Sequence, residues 1–197
     1  IYLLPQLAHD ETGVAPFGVS SRTFAKQMAV VPPTTAAYTN FFILAEYYYK
    51  IMVLPFYRQQ TDWTCGAACV RMVLASVGIK KSEQVLAKLL KTKENKTGTL
   101  HREIARFFEG LKLNYVVQRN ASTSDLKRLQ KQNYRIIVGY FLTEHNCGHY
   151  AVVKKIDNKI HLLDPWYGPK HYYSVKEFSK IWYDGEGEKC WFVGIKK

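Results

Sequence analysis

Cys65 is preceded by a polar run of glutamine and threonine and followed by Gly66, Ala67 and Ala68, so it falls where a loop turns into a helix. A cysteine attacks a carbonyl carbon as the thiolate, and the partial positive charge of a helix N-terminus, about half an elementary charge, favours that anion. Gly66 is read as letting a substrate come close to the backbone. Gln59, six residues before Cys65, can aim its amide at the same substrate oxygen as the Cys65 N–H, and two such donors make an oxyanion hole. His149 opens one apolar stretch and Asp164 closes the next. If Asp157 and Asn158 form a two-residue hairpin loop, Ile156 faces Lys159, His149 faces Trp166 and Ala151 faces Asp164. His149 and Asp164 are then diagonal neighbours on one face, ~7 to 8 Å apart at the backbone, a gap that an imidazole and a carboxylate can bridge. A loop of odd length sends the two side chains to opposite faces. The chemistry these types allow is acyl transfer to a thiol: Cys65 as nucleophile, His149 as base, Asp164 as orienting acid and Gln59 as oxyanion donor. Taken singly, each residue has an ordinary explanation as a small buried thiol, a solvated glutamine, a structural histidine or a turn-starting aspartate. Their combination carries the reading.

The elements that must position these groups follow from periodicity. Residues 66–78 are small and helix-forming with little solvent face, ending at Gly78, which predicts a central buried helix. Further helices are predicted from the N-cap Ser82 to about 90, from 100 to 108 with a stop at Gly110, from the Ser122-x-x-Asp125 cap onward, and near 175–182. Strands are predicted at 113–118, 135–142, 149–156, 159–164 and 189–195, with 165–169 as a turn. Helices come first and strands later, which is the α+β arrangement, with a buried helix packed on a C-terminal antiparallel sheet.

Composition bounds the rest. A chain of 197 residues with 47% hydrophobic and 14% aromatic content buries one good core. The first fifty residues carry Pro5, Pro16, Pro32 and Pro33 without any sustained period. Residues 1–51 are therefore expected to be a poorly structured extension, with Met52 a candidate for the native start, and 52–197 the folded domain. The apolar run 41–45 is broken by Glu46 and Lys50, well short of the ~18 apolar residues of a membrane helix. No integral membrane segment is expected. The net charge of +12 lies wholly downstream of residue 51, where the balance of the extension is three cations against three anions. That basic excess hints at acidic or extended peptides; scattered lysines argue against nucleic acid, and Tyr134, Tyr140 and Tyr150 read as buried strand residues rather than base-stacking platforms. Four cysteines are too few for a disulfide framework, which points to a reducing, cytoplasmic setting. Cys147, His149 and His145 with Cys65 and Cys69 have the wrong spacing for structural zinc, so no metal and no cofactor are expected.

The strings from Gln59 to Cys69, from Gly148 to Val153 and from Leu163 to Gly168 resemble the peptidase C39 family of the papain-like superfamily, especially its stand-alone C39-like members. The resemblance covers roughly 53–197, including Ser174-x-x-Glu177-Phe178 and Trp182. It implies a papain-like α+β fold, a peptide or protein substrate, and hydrolysis through a thioester acyl-enzyme, with the family's Gln, Cys, His and Asp falling on Gln59, Cys65, His149 and Asp164. Many family members process leader peptides after a Gly-Gly pair and are fused to an export transporter. Thr64 here replaces the Asp that usually precedes the cysteine in transporter-linked members, and no ATP-binding motif follows. Two other readings share the fold: a peptide-binding domain without catalysis, and a thiol deamidase or acyltransferase.

Overall fold

The helix that begins at Cys65 organises the molecule. In the computed structural model, which describes residues 54–94, 97–184 and 187–196, α1 runs over Cys65–Ser76 with every residue but Arg71 and Ala75 buried. Arg71 lays its guanidinium over the Tyr57 ring, 3.9 Å from the centroid. The helix stops as its glycine requires. Gly78 takes φ +89°, and the N–H groups of Gly78 and Ile79 close back onto Ala75 O and Leu74 O at 3.1 and 2.9 Å, the two bonds of a Schellman cap. Two shorter helices follow, α2 (Glu83–Leu89), whose N-cap Ser82 accepts from Val85 N, and α3 (His101–Glu109).

Six strands then form one antiparallel sheet: β1 (Asn114–Gln118), β2 (Arg135–Leu142), β3 (Cys147–Ile156), β4 (Lys159–Asp164), β5 (Gly168–Ser174) and β6 (Phe192–Lys196), in the order β1-β6-β2-β3-β4-β5. Between them lie α4 (Thr123–Lys131) and α5 (Val175–Ile181), each opened by a reciprocal capping box, Ser122 with Asp125 and Ser174 with Glu177. Alternation along the strands divides the apolar side chains between two cores. Ile137, Val152, Leu163 and Val193 pack under α1, α2 and α3. Ile136, Val138, Ala151, Leu162 and Phe192 pack with Leu126 and Leu129 of α4 and Phe178 of α5. Each large side chain buried in this way contributes roughly 1.5–3 kcal/mol relative to exposure, so the sheet is held from both faces.

The expected α+β architecture of helices on an antiparallel sheet is what the chain adopts. The sequence pattern predicts no strand over 168–174, yet after the turn at 165–167 the chain forms β5, which begins Gly168-Pro169. Among the described residues it is an edge strand pairing with β4 alone, the position in a sheet where a proline's missing N–H does least harm. The expectation for residues 1–51 falls outside the described residues.

The β3–β4 hairpin is built differently from its predicted form. Ile156 pairs with Ile160 and Lys155 with His161, so the turn holds an odd number of residues, one more than expected. The register then shifts between Val153 and Lys155, and beyond the bulge Val152 pairs with Leu163. Lys154 and Lys155 are both exposed, as an extra residue in one strand demands. The bulge cancels the longer turn. Continuing the observed pairing sets Asp164 against Ala151, the register the short turn was expected to produce.

Candidate active site

Cys65, His149, Asp164 and Gln59 reach one place from four elements. Cys65 is the first residue of α1, and intrahelical bonding starts only at Ala68 N, which donates to Thr64 O at 2.9 Å. The N–H groups of Cys65, Gly66 and Ala67 therefore precede the helix's own ladder and carry its positive end. His149 lies near the start of β3, opposite Tyr140 of β2. Asp164 is the last residue of β4 and is fully buried.

The hydrogen bonds around Asp164 are complete. Its Oδ1 accepts from His149 Nε2 at 3.0 Å and from the backbone N–H groups of Trp166 and Tyr167 at 2.8 and 2.9 Å. Its Oδ2 accepts from the Tyr140 hydroxyl at 2.5 Å. Burial alone would raise this carboxyl's pKa, but the bond and charge of His149, the Tyr140 hydroxyl and the Tyr167 N–H hold it below the ordinary value. Burial and the adjacent carboxylate push Tyr140 well above the usual phenol range, so it stays a donor.

His149 is buried, and desolvation opposes its charged form. Hydrogen bonds to Asp164 and to the Cys65 sulfur, with the charge interactions that each brings, outweigh that penalty and take its pKa up to about 10. Because Nε2 is bonded to Asp164, Nδ1 is the ring nitrogen left for sulfur. The Tyr140 ring meets the imidazole edge-on, with centroids 5.4 Å apart, which fixes the ring's plane. Cys69, one helical turn after Cys65, is the contrasting thiol: fully buried, its pKa is driven well up by desolvation and then by the neighbouring Cys65 charge.

Gln59 stands in the loop before α1, half-buried. Its backbone N–H donates to Pro165 O at 3.2 Å, tying that loop to the segment after Asp164. Its Nε2 donates to Thr61 O at 2.8 Å, leaving the second amide N–H for another acceptor. Next to it, the buried carboxylate of Glu83 accepts from Gln60 N at 2.7 Å and steadies the loop from α2. Gln59, Cys65 and His149 line one open cleft of ≈ 750 Å³, together with Trp63, Trp166 and Tyr150.

Two readings of the sequence change here. Gly66 does not open the backbone to a ligand: a Cβ on it would lie 2.8 Å from both Cβ and Oγ1 of Thr99, so the missing side chain admits the 97–100 loop against α1. The cleft is also not basic. Besides His149, its charged lining residues are Asp62, Glu94 and Asp184, with no lysine or arginine among the described residues that line it. The tyrosines considered for base stacking have internal roles: Tyr140 bonds Asp164, Tyr150 donates to Thr99 O at 2.9 Å, and Tyr134 lies under Lys196. Tyr140 is the member of the site that the sequence reading missed. Its place opposite His149 puts both on one sheet face, a register that no local pattern in the sequence specifies.

A thiol at the head of a buried helix, packed on an antiparallel sheet that supplies a histidine and an aspartate, defines the papain-like fold. Residues 54–185 match the peptidase C39 family, and the chain belongs to that family. Solved structures with the same fold include the peptidase domain of Streptococcus ComA, a bi-functional ABC transporter involved in a quorum-sensing pathway, at 22% identity and TM-score 0.58, covering 74% of this chain and 100% of that one. A candidate C39-like peptidase from Bacillus anthracis aligns at 15% identity and TM-score 0.60, covering 74% of this chain and 96% of its own. A double glycine motif protease from an AMS/PCAT transporter, solved in complex with the leader peptide, aligns at 17% identity and TM-score 0.54, covering 74% and 94%. No protein of curated function matches the chain. Among the described residues no helix is long and apolar enough to cross a membrane.

Proposed function

We propose that this protein is a cysteine peptidase that cleaves peptide bonds through an acyl-enzyme on Cys65. The observation that supports it is the position of His149, within hydrogen-bonding reach of the Cys65 thiol on one side and of the buried Asp164 carboxylate on the other. In this reading the thiol proton passes to His149 and sulfur adds to the scissile carbonyl carbon. The oxyanion is held by the Cys65 N–H and the second amide N–H of Gln59. When the C–N bond breaks, the imidazolium delivers its proton to the leaving amine and a thioester remains. Water then attacks the thioester with its proton taken by His149, the acid departs and the thiol is restored. Asp164 holds the ring in one orientation throughout, and Tyr140 and two backbone N–H groups hold Asp164.

Acidic lining in a basic protein favours a substrate with positive charge near the scissile bond, since a local potential acts on the ligand more than net charge does. Trp166, 38% exposed beside the site, offers an apolar wall to the same segment. The test is incubation of the protein with a peptide library, read by mass. Paired fragments from the parent and none from Cys65→Ala are expected; a product displaced by a single small mass, from an intact peptide, would replace proteolysis by deamidation or acyl transfer. Unaltered peptides with retained binding would leave only a peptide-binding domain.

A further inference from the structure

Glu83, the first residue of α2, is a buried acid to which acyl transfer assigns no step. An acid in the first turn of a helix gains from the helix's positive end while it stays in water. Glu83 instead turns inward and is only 1% exposed. There its Oε1 accepts from the Gln60 backbone N–H at 2.7 Å, and its Oε2 is buried with no hydrogen-bond partner among the described residues. A buried carboxylate with one oxygen unmatched is a cost to the fold. Its charge is also felt on α1, where it adds to burial, Cys65 and Asp164 in raising the Cys69 thiol. The acid thus lies between the loop that carries Gln59 and the helix headed by Cys65.

What its bond holds follows from the geometry of the peptide group. The Gln60 N–H lies in the plane that also contains the Gln59 carbonyl and Gln59 Cα. The plane on the other side of that Cα contains the Gln59 N–H, which donates to Pro165 O at 3.2 Å. The two planes that meet at Gln59 Cα are therefore each tied by one bond, one to α2 and one to the segment after Asp164. Together the ties fix φ and ψ of Gln59, and so the direction in which its side chain leaves the backbone. Further out, the amide is held by one bond, from Nε2 to Thr61 O at 2.8 Å, and its Oε1 is buried without a partner. Where the second amide N–H points then depends on the backbone beneath it. Of these three ties the one to Glu83 is the shortest, and its acceptor is a carboxylate, the stronger kind.

We infer that Glu83 is a positioning residue for the oxyanion donor: through the Gln60 N–H it sets the place of the Gln59 amide without touching the substrate. This role rests on the one given to Gln59 in the proposed function. An oxyanion donor acts only where the developing charge arrives, and a misplacement of about 1 Å costs up to about 10²-fold. Loss of the Glu83 contact should therefore spare ground-state binding and weaken the tetrahedral state alone.

The test compares two ligands of the full chain by calorimetry, so that turnover is not needed. With the aldehyde acetyl-Leu-Leu-argininal, the Cys65 sulfur bonds to the carbonyl carbon, the carbonyl π pair moves onto oxygen and the thiol proton passes to His149. The alcohol acetyl-Leu-Leu-argininol forms no such bond, so the ratio of the two affinities reports the oxyanion hole. Gln59→Ala should lower that ratio about 10²- to 10³-fold. Glu83→Met, which fills the same space without an acceptor, should lower it about 10- to 10²-fold with alcohol binding little changed. Glu83→Gln keeps an oxygen for the Gln60 N–H and should recover most of the loss. On the Gln59→Ala background Glu83→Met should add nothing, because both act through one amide. Glu83→Asp keeps the charge but stops short of Gln60; it should show the same selective loss and decides the matter where Glu83→Met does not fold. An unchanged ratio, equal weakening of both ligands, or a further loss on top of Gln59→Ala overturns the assignment. A parent that binds the aldehyde no better than the alcohol overturns it together with the oxyanion hole. A parent that gives the expected ratios but cleaves no peptide refutes the peptidase reading and supports the role of Glu83.

Discussion

Replacing Asp164 with asparagine removes one buried charge while leaving the shape of the side chain intact. Oδ1 can go on accepting from His149, Trp166 and Tyr167. The new NH₂ faces the Tyr140 hydroxyl, which must turn from donor to acceptor. The rise of His149 from 6.5 to about 10 corresponds to about 5 kcal/mol of preference for imidazolium, achieved against burial and shared between Asp164 and Cys65. A charge-assisted hydrogen bond contributes about 1.5–3 kcal/mol, so its loss should lower the imidazole's pKa by about 1 to 2. Two measurements follow it: the histidine NMR titration, and the upper limb of the pH profile of kcat/KM, which falls as the leaving-group proton is lost. Both should move to lower pH together, with kcat/KM down about 10²- to 10⁴-fold and KM little changed. Stability gives an independent reading. A folded-state pKa above the unfolded value stabilises fully below the unfolded pKa near 6.5, and the contribution disappears as pH climbs through about 10. The parent's thermal midpoint should decline over that window and the variant's should decline less. An unmoved histidine titration together with an unmoved upper limb would refute the role given to Asp164.

Iodoacetamide should label Cys65 faster than the other three cysteines, with Cys69 slowest because burial disfavours its thiolate; equal labelling read by peptide mapping would remove the case for an activated sulfur. Gly66→Ala should cost about 1–3 kcal/mol in denaturant unfolding, since the added methyl meets Thr99; part of the loss should return with Thr99→Gly, and a neutral Gly66→Ala would mean that the 97–100 loop shifts freely. Asp62→Asn and Glu94→Gln should each raise KM for an arginine-containing peptide by about 1.5- to 5-fold, the range of an exposed charge pair, and leave a neutral peptide unaffected. A preference for acidic peptides would reverse the argument from the cleft lining.

Local signals carried much of the architecture, and tertiary ones did not. Gly78, Ser82 and the Ser122–Asp125 box mark helix ends through bonds made within a few residues, and those ends stand where chain-local chemistry puts them. The strand at Gly168–Ser174 escaped because Gly168 and Pro169 read as punctuation, and only the free edge of β4 makes them tolerable. Gly66 was assigned to a ligand because nothing local indicates that Thr99, thirty-three residues on, occupies its space. For the candidate site, residue types and order in the chain were enough to single out Cys65, Gln59, His149 and Asp164. Tyr140 was not singled out, since its partner depends on strand pairing. The hairpin joining His149 to Asp164 reached the expected register by an unexpected route.

That route makes the longer turn and the bulge at Lys154 a pair of compensating phase errors, much like a frameshift and its suppressor. Losing one residue from the turn alone, or Lys154 alone, inverts the inside and outside of everything beyond it, and His149 parts from Asp164 though neither has been touched. Losing both restores the phase. Length variation in this hairpin is therefore heritable only in matched steps, and chains of this design that differ there should differ twice.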